Sequence, residues 1–154
     1  DFFKNKILLK GRGKISKINK FNKQFFLIDE SYNANPLSVK SAIQNFSNIK
    51  KGGKRKYFLF GDMLELGKNS HIYHKKISKF INNSDIDKTY VYGSNASETY
   101  KSLNKHKQGE IIKDLKLFKN KIFNVLRDGD YLMIKGSNAT RLHEVTKEFI
   151  GGSN

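Results

Sequence analysis

Residues 26–36 read FLIDESYNANP, an apolar run of strand type that ends in two carboxylates, Asp29 and Glu30, and passes within a few residues into an Asn-Pro helix start. Few patterns restrict a fold more. A strand that feeds a helix through a short polar loop belongs to a sheet whose neighbours run parallel, because the helix has to carry the chain back before the next strand begins. The same passage recurs in LFGDMLELGKNSHIYH at 59–74 and in YLMIKGSNATRLHE at 131–144. In open sheets of this kind ligands bind outside the carboxyl ends of the strands, where helix starts offer unpaired N–H groups, so the three loops are expected to form one composite site.

The rest of the chain continues the alternation. Short strand-like runs at 14–19 and 24–29, joined by Lys-Asn turn material, read as a hairpin. Asn35 as N-cap and Pro36 at the first helical position open a helix with Val39, Ala42, Ile43 and Phe46 on one face. Residues 57–60 form the next strand. Ser70 is then expected to cap a helix with Tyr73, Ile77, Phe80 and Ile81 on one side, and 89–92 is a strand ending at Gly93. A helix over 114–126 turns Leu115, Phe118, Ile122 and Val125 inward, 131–134 is a strand, and Asn138 opens a last helix that buries Leu142, Val145 and Phe149. The expected class is α/β, Rossmann-like, with a mostly parallel sheet, one antiparallel edge strand and helices on both faces.

Length predicts one domain. Cysteine is absent, so no disulfide framework or thiolate metal site is available, and a reducing, cytoplasmic setting is expected. No apolar stretch approaches the roughly 18–20 residues of a membrane helix, the first residues lack the apolar core of a signal peptide, and no membrane partner is expected. The first residue is Asp rather than Met, and the expectation is a domain cut from a longer chain. The net charge of +16 raises nucleic acid as a partner, yet the charge is nearly all Lys, scattered along the chain, with only Arg12, Arg55, Arg127 and Arg141 as arginines. That pattern reads as solvated faces, and nucleic acid is not the expected ligand. Neither GxGxxG nor a G-x-x-x-x-G-K-[ST] loop is present, and KKGGKRK at 50–56 follows a helix and precedes a strand, the reverse of a phosphate loop. No metal-ligand spacing links His71, His74, His106 and His143.

The strings IDESYNANP, GDMLELG with Ser70 and His74 behind it, and KGSN before the last helix resemble the C-terminal domain of the Mur ligases, in particular the MurF branch. The resemblance covers roughly residues 11–150, with 1–13 as the end of a preceding domain and hinge, 14–150 as the domain itself and 151–154 as a loose tail. It implies an ATP-dependent amide ligase of peptidoglycan synthesis that adds D-alanyl-D-alanine to a UDP-MurNAc-tripeptide through an acyl phosphate. ATP and Mg2+ would be bound mainly by a central domain this chain lacks, so the isolated chain is expected to be inactive. It is expected to be a monomer.

The resemblance also assigns residues. Arg12, between two glycines, matches a hinge arginine that reaches ATP phosphates. Asp29 and Glu30 stand at an acidic pair, often two Asp in the family, one of which binds ribose. Asn33 lies near the nucleotide, and Asn35 caps the helix. Lys135, Gly136, Ser137 and Asn138 would take the carboxylate of D-alanyl-D-alanine at a helix start, with Arg141 and Glu144 flanking. Asp62 and Glu65 would either orient a loop or the incoming amine or serve a plain structural role. His74 reads as a hydrogen-bonding structural histidine. No catalytic residue and no metal ligand is assigned. Two alternatives remain: a domain of another Mur or folylpolyglutamate-type ligase, and a stand-alone module that binds nucleotide or RNA without chemistry.

Overall fold

The computed structural model describes residues 14–20 and 22–151. Arg12 and the hinge, and residues 152–154 of the expected tail, lie outside the described residues; Gly151 is the last residue of a helix. Six strands, β1 (Lys14–Lys20), β2 (Lys23–Glu30), β3 (Lys56–Gly61), β4 (Lys88–Tyr92), β5 (Gln108–Ile112) and β6 (Tyr131–Lys135), form one sheet in the order β1-β2-β6-β3-β4-β5. Only β1 pairs antiparallel; the other pairings are parallel. The helices are α1 (Pro36–Asn48), α2 (Ser70–Asn82), α3 (Ala96–Lys101), α4 (Leu115–Val125) and α5 (Leu142–Gly151). The expected α/β class, parallel sheet and antiparallel edge are those of the structure.

The hairpin closes at Asn22, whose φ of 62° is the left-handed conformation that Asn tolerates better than most residues. At α1 the Asn35 side chain accepts the Ser38 N–H at 2.9 Å while Ser38 Oγ accepts the Asn35 N–H at 3.0 Å, a reciprocal capping box. Alternation along the strands splits the core between the two faces of the sheet. Ile28, Phe58, Phe60, Val91 and Met133 pack under α1, α2 and Ala96 of α3. On the opposite face Leu27, Leu59, Leu132 and Ile134 pack under α4 and α5.

β6 and β3 are neighbours, yet the helix after β6 crosses one face and the helix after β3 crosses the other. Their carboxyl ends therefore flank the crevice where open α/β sheets hold ligands.

Several local expectations need correction. Ser70 is the first residue of α2 rather than its cap; Asn69 precedes it without a capping side-chain bond. Asn138 opens a 3-10 turn, 138–140, and α5 begins only at Leu142, after Arg141 has taken a left-handed φ of 67°. Tyr73 and Val125 face solvent, because each lies at the margin of its helix's apolar stripe. The sequence reading also passed over α3 and β5. α3 has six residues and buries only Ala96 and Thr99, and β5 is an edge strand whose register with β4 breaks beside Thr89 and Tyr90.

Candidate functional site

Three loops leave the carboxyl ends of β2, β3 and β6, and two side chains of the KGSN segment join them. Lys135, only 4% exposed, donates from Nζ to the Asn33 carbonyl at 2.7 Å and pairs with Glu30 Oε1 at 3.3 Å. Ser137 Oγ accepts the Leu64 N–H at 3.1 Å and lies 3.5 Å from the Ala34 carbonyl, to which it donates. The Ser137 N–H donates in turn to the Asp62 carbonyl at 3.3 Å. The ammonium expected to face a substrate carboxylate is thus committed to the β2–α1 loop.

Strand alternation sends Asp29 and Glu30 to opposite faces of the sheet. Asp29 Oδ1 accepts both the N–H and the Oγ–H of Ser31, at 3.0 and 2.5 Å, an Asx-type turn that shapes the loop. Glu30 meets Lys135 through one oxygen and keeps the second unoccupied by any described group. Asn33 is exposed and Asn35 serves as the α1 cap.

In the second loop His74 is fully buried and acts as a bolt. Its Nδ1–H donates to the Ser70 carbonyl at 2.7 Å, and Nε2 accepts the Met63 N–H at 2.8 Å. An imidazole that must accept at Nε2 is neutral, and burial lowers its pKa against the opposing pull of the Ser70 carbonyl and Asp62. Asp62 Oδ1 accepts the Ala96 N–H at 2.7 Å, fastening this loop to the one after β4, while Glu65 is exposed with a left-handed φ of 62°.

Gly136 does offer close approach, but to its own chain. A Cβ there would meet Leu142 Cδ1 at 2.7 Å and Thr140 Oγ1 at 3.1 Å. The open space lies one step further along the sheet. A cleft of about 590 Å³, within the usual size of small-molecule sites, is bounded by the ends of β3, β4 and β5 and by the turn before α5. Asp62, Tyr92, Ser94, Lys113, Thr140 and Arg141 supply its polar groups. The guanidinium of Arg141 is held at the rim by Glu144, Nε to Oε2 at 3.1 Å and the second nitrogen to Oε1 at 3.2 Å. Lys135, Gly136, Ser137 and Asn138 do not line this cleft. Ser94 and Lys113 were missed because they follow β4 and the overlooked β5. The signal that could have found Ser94 is Gly93-Ser94-Asn95, one more strand-to-helix loop.

The model of the family described as Mur ligase, glutamate ligase domain, matches residues 16–138. The chain belongs to the Mur ligase family. Among curated relatives, the UDP-N-acetylmuramoyl-tripeptide--D-alanyl-D-alanine ligase of Buchnera aphidicola subsp. Baizongia pistaciae is 34% identical over 149 residues, 93% of this chain and 30% of that protein. The ligase of the same name from Bacillus subtilis is 30% identical over 145 residues, 92% of this chain and 32% of that protein. In a solved structure, MurF ligase from Thermotoga maritima in complex with ADP, 30% of the chain superposes on 92% of this one with a TM-score of 0.74 at 22% identity. This Mur ligase domain therefore spans about a third of the length of the curated relatives it matches. No helix among the described residues is long and apolar enough to cross a membrane.

Proposed function

We propose that the chain is the C-terminal domain of a D-alanyl-D-alanine-adding ligase, closing over ATP with its β2–α1 loop and receiving the dipeptide in the cleft beyond β3. The observation that carries this reading is the pair of side chains, Lys135 and Ser137, that ties the acidic loop, the GDMLELG loop and the KGSN loop into one unit at the sheet's carboxyl edge. Relatives whose names state that reaction support it.

Glu30, whose second oxygen no described group occupies, is the carboxylate proposed to accept from the ribose hydroxyls, while Asp29 shapes the loop by holding Ser31 with one of its two oxygens. Asn33, exposed beside it, offers an amide to the nucleotide, and Arg12 is assigned to the phosphates. ATP supplies the phosphoryl group that activates the peptide carboxylate. Mg2+ is assigned mainly to the part of the ligase outside this chain, as the resemblance to the Mur ligases implies.

The cleft suits a small zwitterion. Lys113 and Arg141 give positive charge for a carboxylate, Asp62 a negative edge for an ammonium, and Ser94 and Thr140 hydroxyls between them. The KGSN segment then acts behind the site, positioning the Thr140–Arg141 turn rather than touching the dipeptide. Steady-state kinetics of the full-length enzyme tests this. Arg141→Ala is expected to raise the KM for D-alanyl-D-alanine tenfold or more with little change for ATP, and Glu30→Gln to do the converse. If neither dipeptide nor any other amino acid supports phosphate release, the ligase reading falls.

A further inference from the structure

The lysines that look scattered in sequence are sorted by the fold. Among the described residues, neither 31–61 nor 66–84 contains an Asp or Glu, and these two stretches supply α1 and α2, the two long helices that with the short α3 cover one face of the sheet. Elsewhere lysines meet carboxylates: Lys119 pairs with Glu148 at 2.9 Å and Lys121 with Glu110 at 2.7 Å on the opposite layer, and, beside α1 and α2, Lys101 of α3 pairs with Glu98 at 3.2 Å and Lys51 with Asp87 at 3.0 Å. On α2 and the turn before it, Lys68, Lys75, Lys76 and Lys79 are exposed and make no ion pair with a described residue. Lys40 of α1, held over the Phe80 ring at 5.2 Å, continues the basic surface across the seam between the helices.

The same outward face of α2 carries two apolar side chains that the core does not need. Ile72 is 43% and Tyr73 39% exposed. At helical spacing Ile72 shares a stripe with Lys75, Lys76 and Lys79. Unpaired lysines around an exposed aliphatic and an exposed Tyr match the headgroup region of an anionic bilayer, where ammonium groups meet phosphates and the apolar side chains sit at the acyl boundary. Base recognition would call for Arg, and this face has none.

We propose that the α2 face is a peripheral docking surface for an anionic lipid bilayer, lying on it without inserting a helix. It stands apart from the carboxyl-edge cleft and does not depend on the ligand assigned there. Each lysine close to such a surface strengthens adsorption by roughly fivefold, so the four together are enough for reversible, salt-sensitive attachment.

Vesicle co-sedimentation of the full-length protein tests it. Vesicles of phosphatidylglycerol mixed with phosphatidylcholine should carry the protein down at about 0.1 M salt, pure phosphatidylcholine should not, and raising the salt should release it. The K75E/K76E/K79E variant should lose at least tenfold in binding, and I72S/Y73S several-fold, both with unchanged melting temperature and solution activity. Failure of the unaltered protein to bind anionic vesicles overturns the proposal, as does equal binding by the charge-reversed variant. So does a result in which that variant loses affinity for an RNA oligonucleotide that binds tighter than the vesicles, which makes the face a nucleic-acid surface.

Discussion

His74 holds its loop only while it is neutral, because Nε2 must accept the Met63 N–H and Nδ1 must donate to Ser70. Burial sets its folded pKa below the ordinary 6.5. The unfolded chain therefore binds the proton more readily, and the stability present above about pH 6.5 is lost as the pH falls through that value toward the folded pKa. Melting temperature should drop between pH 7.5 and 5.5, and His74→Leu should flatten that dependence while costing about 1–3 kcal/mol at pH 7.5 through the orphaned Met63 N–H. An unchanged slope in the variant would show that another group titrates. Asp87 does not confound the window. Its carboxyl, although pushed up by burial, is held below the usual range by the Lys56 N–H and by Lys51, and its loss belongs to a more acid region. Gly93 gives a second test at this scale. Its φ of 121° suits glycine, and a Cβ would run into the Asp62 carboxylate that caps Ala96. Gly93→Ala should therefore lower the melting temperature by several degrees, a cost of about 1–3 kcal/mol read by calorimetry.

At the level of elements, the amino end of the sheet is held by a buried ammonium. Lys56, fully buried, donates to the Phe46 carbonyl at 2.7 Å and to the Ile49 carbonyl at 2.5 Å at the end of α1, and meets both Asp85 oxygens at 2.9 Å. One cation satisfies carbonyls that a helix C-terminus leaves open and pins α1 to the connection between α2 and β4. Lys56→Met keeps the apolar stem but strands those acceptors, and urea denaturation should show a loss of about 3 kcal/mol. Nothing in KKGGKRK distinguishes Lys56 from its exposed neighbours. The strands and long helices could be read in advance, because α1 carries its capping box in the letters NPLS and α4 its stripe in Phe118 and Ile122. The missing elements are those whose order comes from tertiary contact. β5 is defined by pairing with β4, and the left-handed Arg141 that delays α5 is set by the packing of Thr140 and Leu142 over two strand-end glycines, Gly61 and Gly136. For the same reason the motif loops could be recognised while the cleft could not: Ser94, Lys113 and Arg141 converge only once β4, β5 and β6 are placed.

For the molecule as a whole, the loops at the carboxyl edge should respond together. Ser137 Oγ is the shared node, accepting from Leu64 on the side of the proposed dipeptide cleft and donating to Ala34 on the side of the proposed nucleotide loop. Removing it leaves the Leu64 N–H without its acceptor and the β2–α1 loop held to this segment through Lys135, at a cost of about 1–3 kcal/mol. In the full-length ligase, Ser137→Ala should raise the KM for ATP and for the dipeptide by similar factors, although the residue lines neither proposed subsite. Arg141→Ala and Glu30→Gln, which sit at one subsite each, should separate the two. The isolated 154-residue chain should show no turnover with ATP and dipeptide, because no phosphate loop occurs in its sequence. A Ser137→Ala enzyme in which only one KM moves would mean that the two loops work independently, and that the bonds joining them at the crevice are packing without consequence for binding.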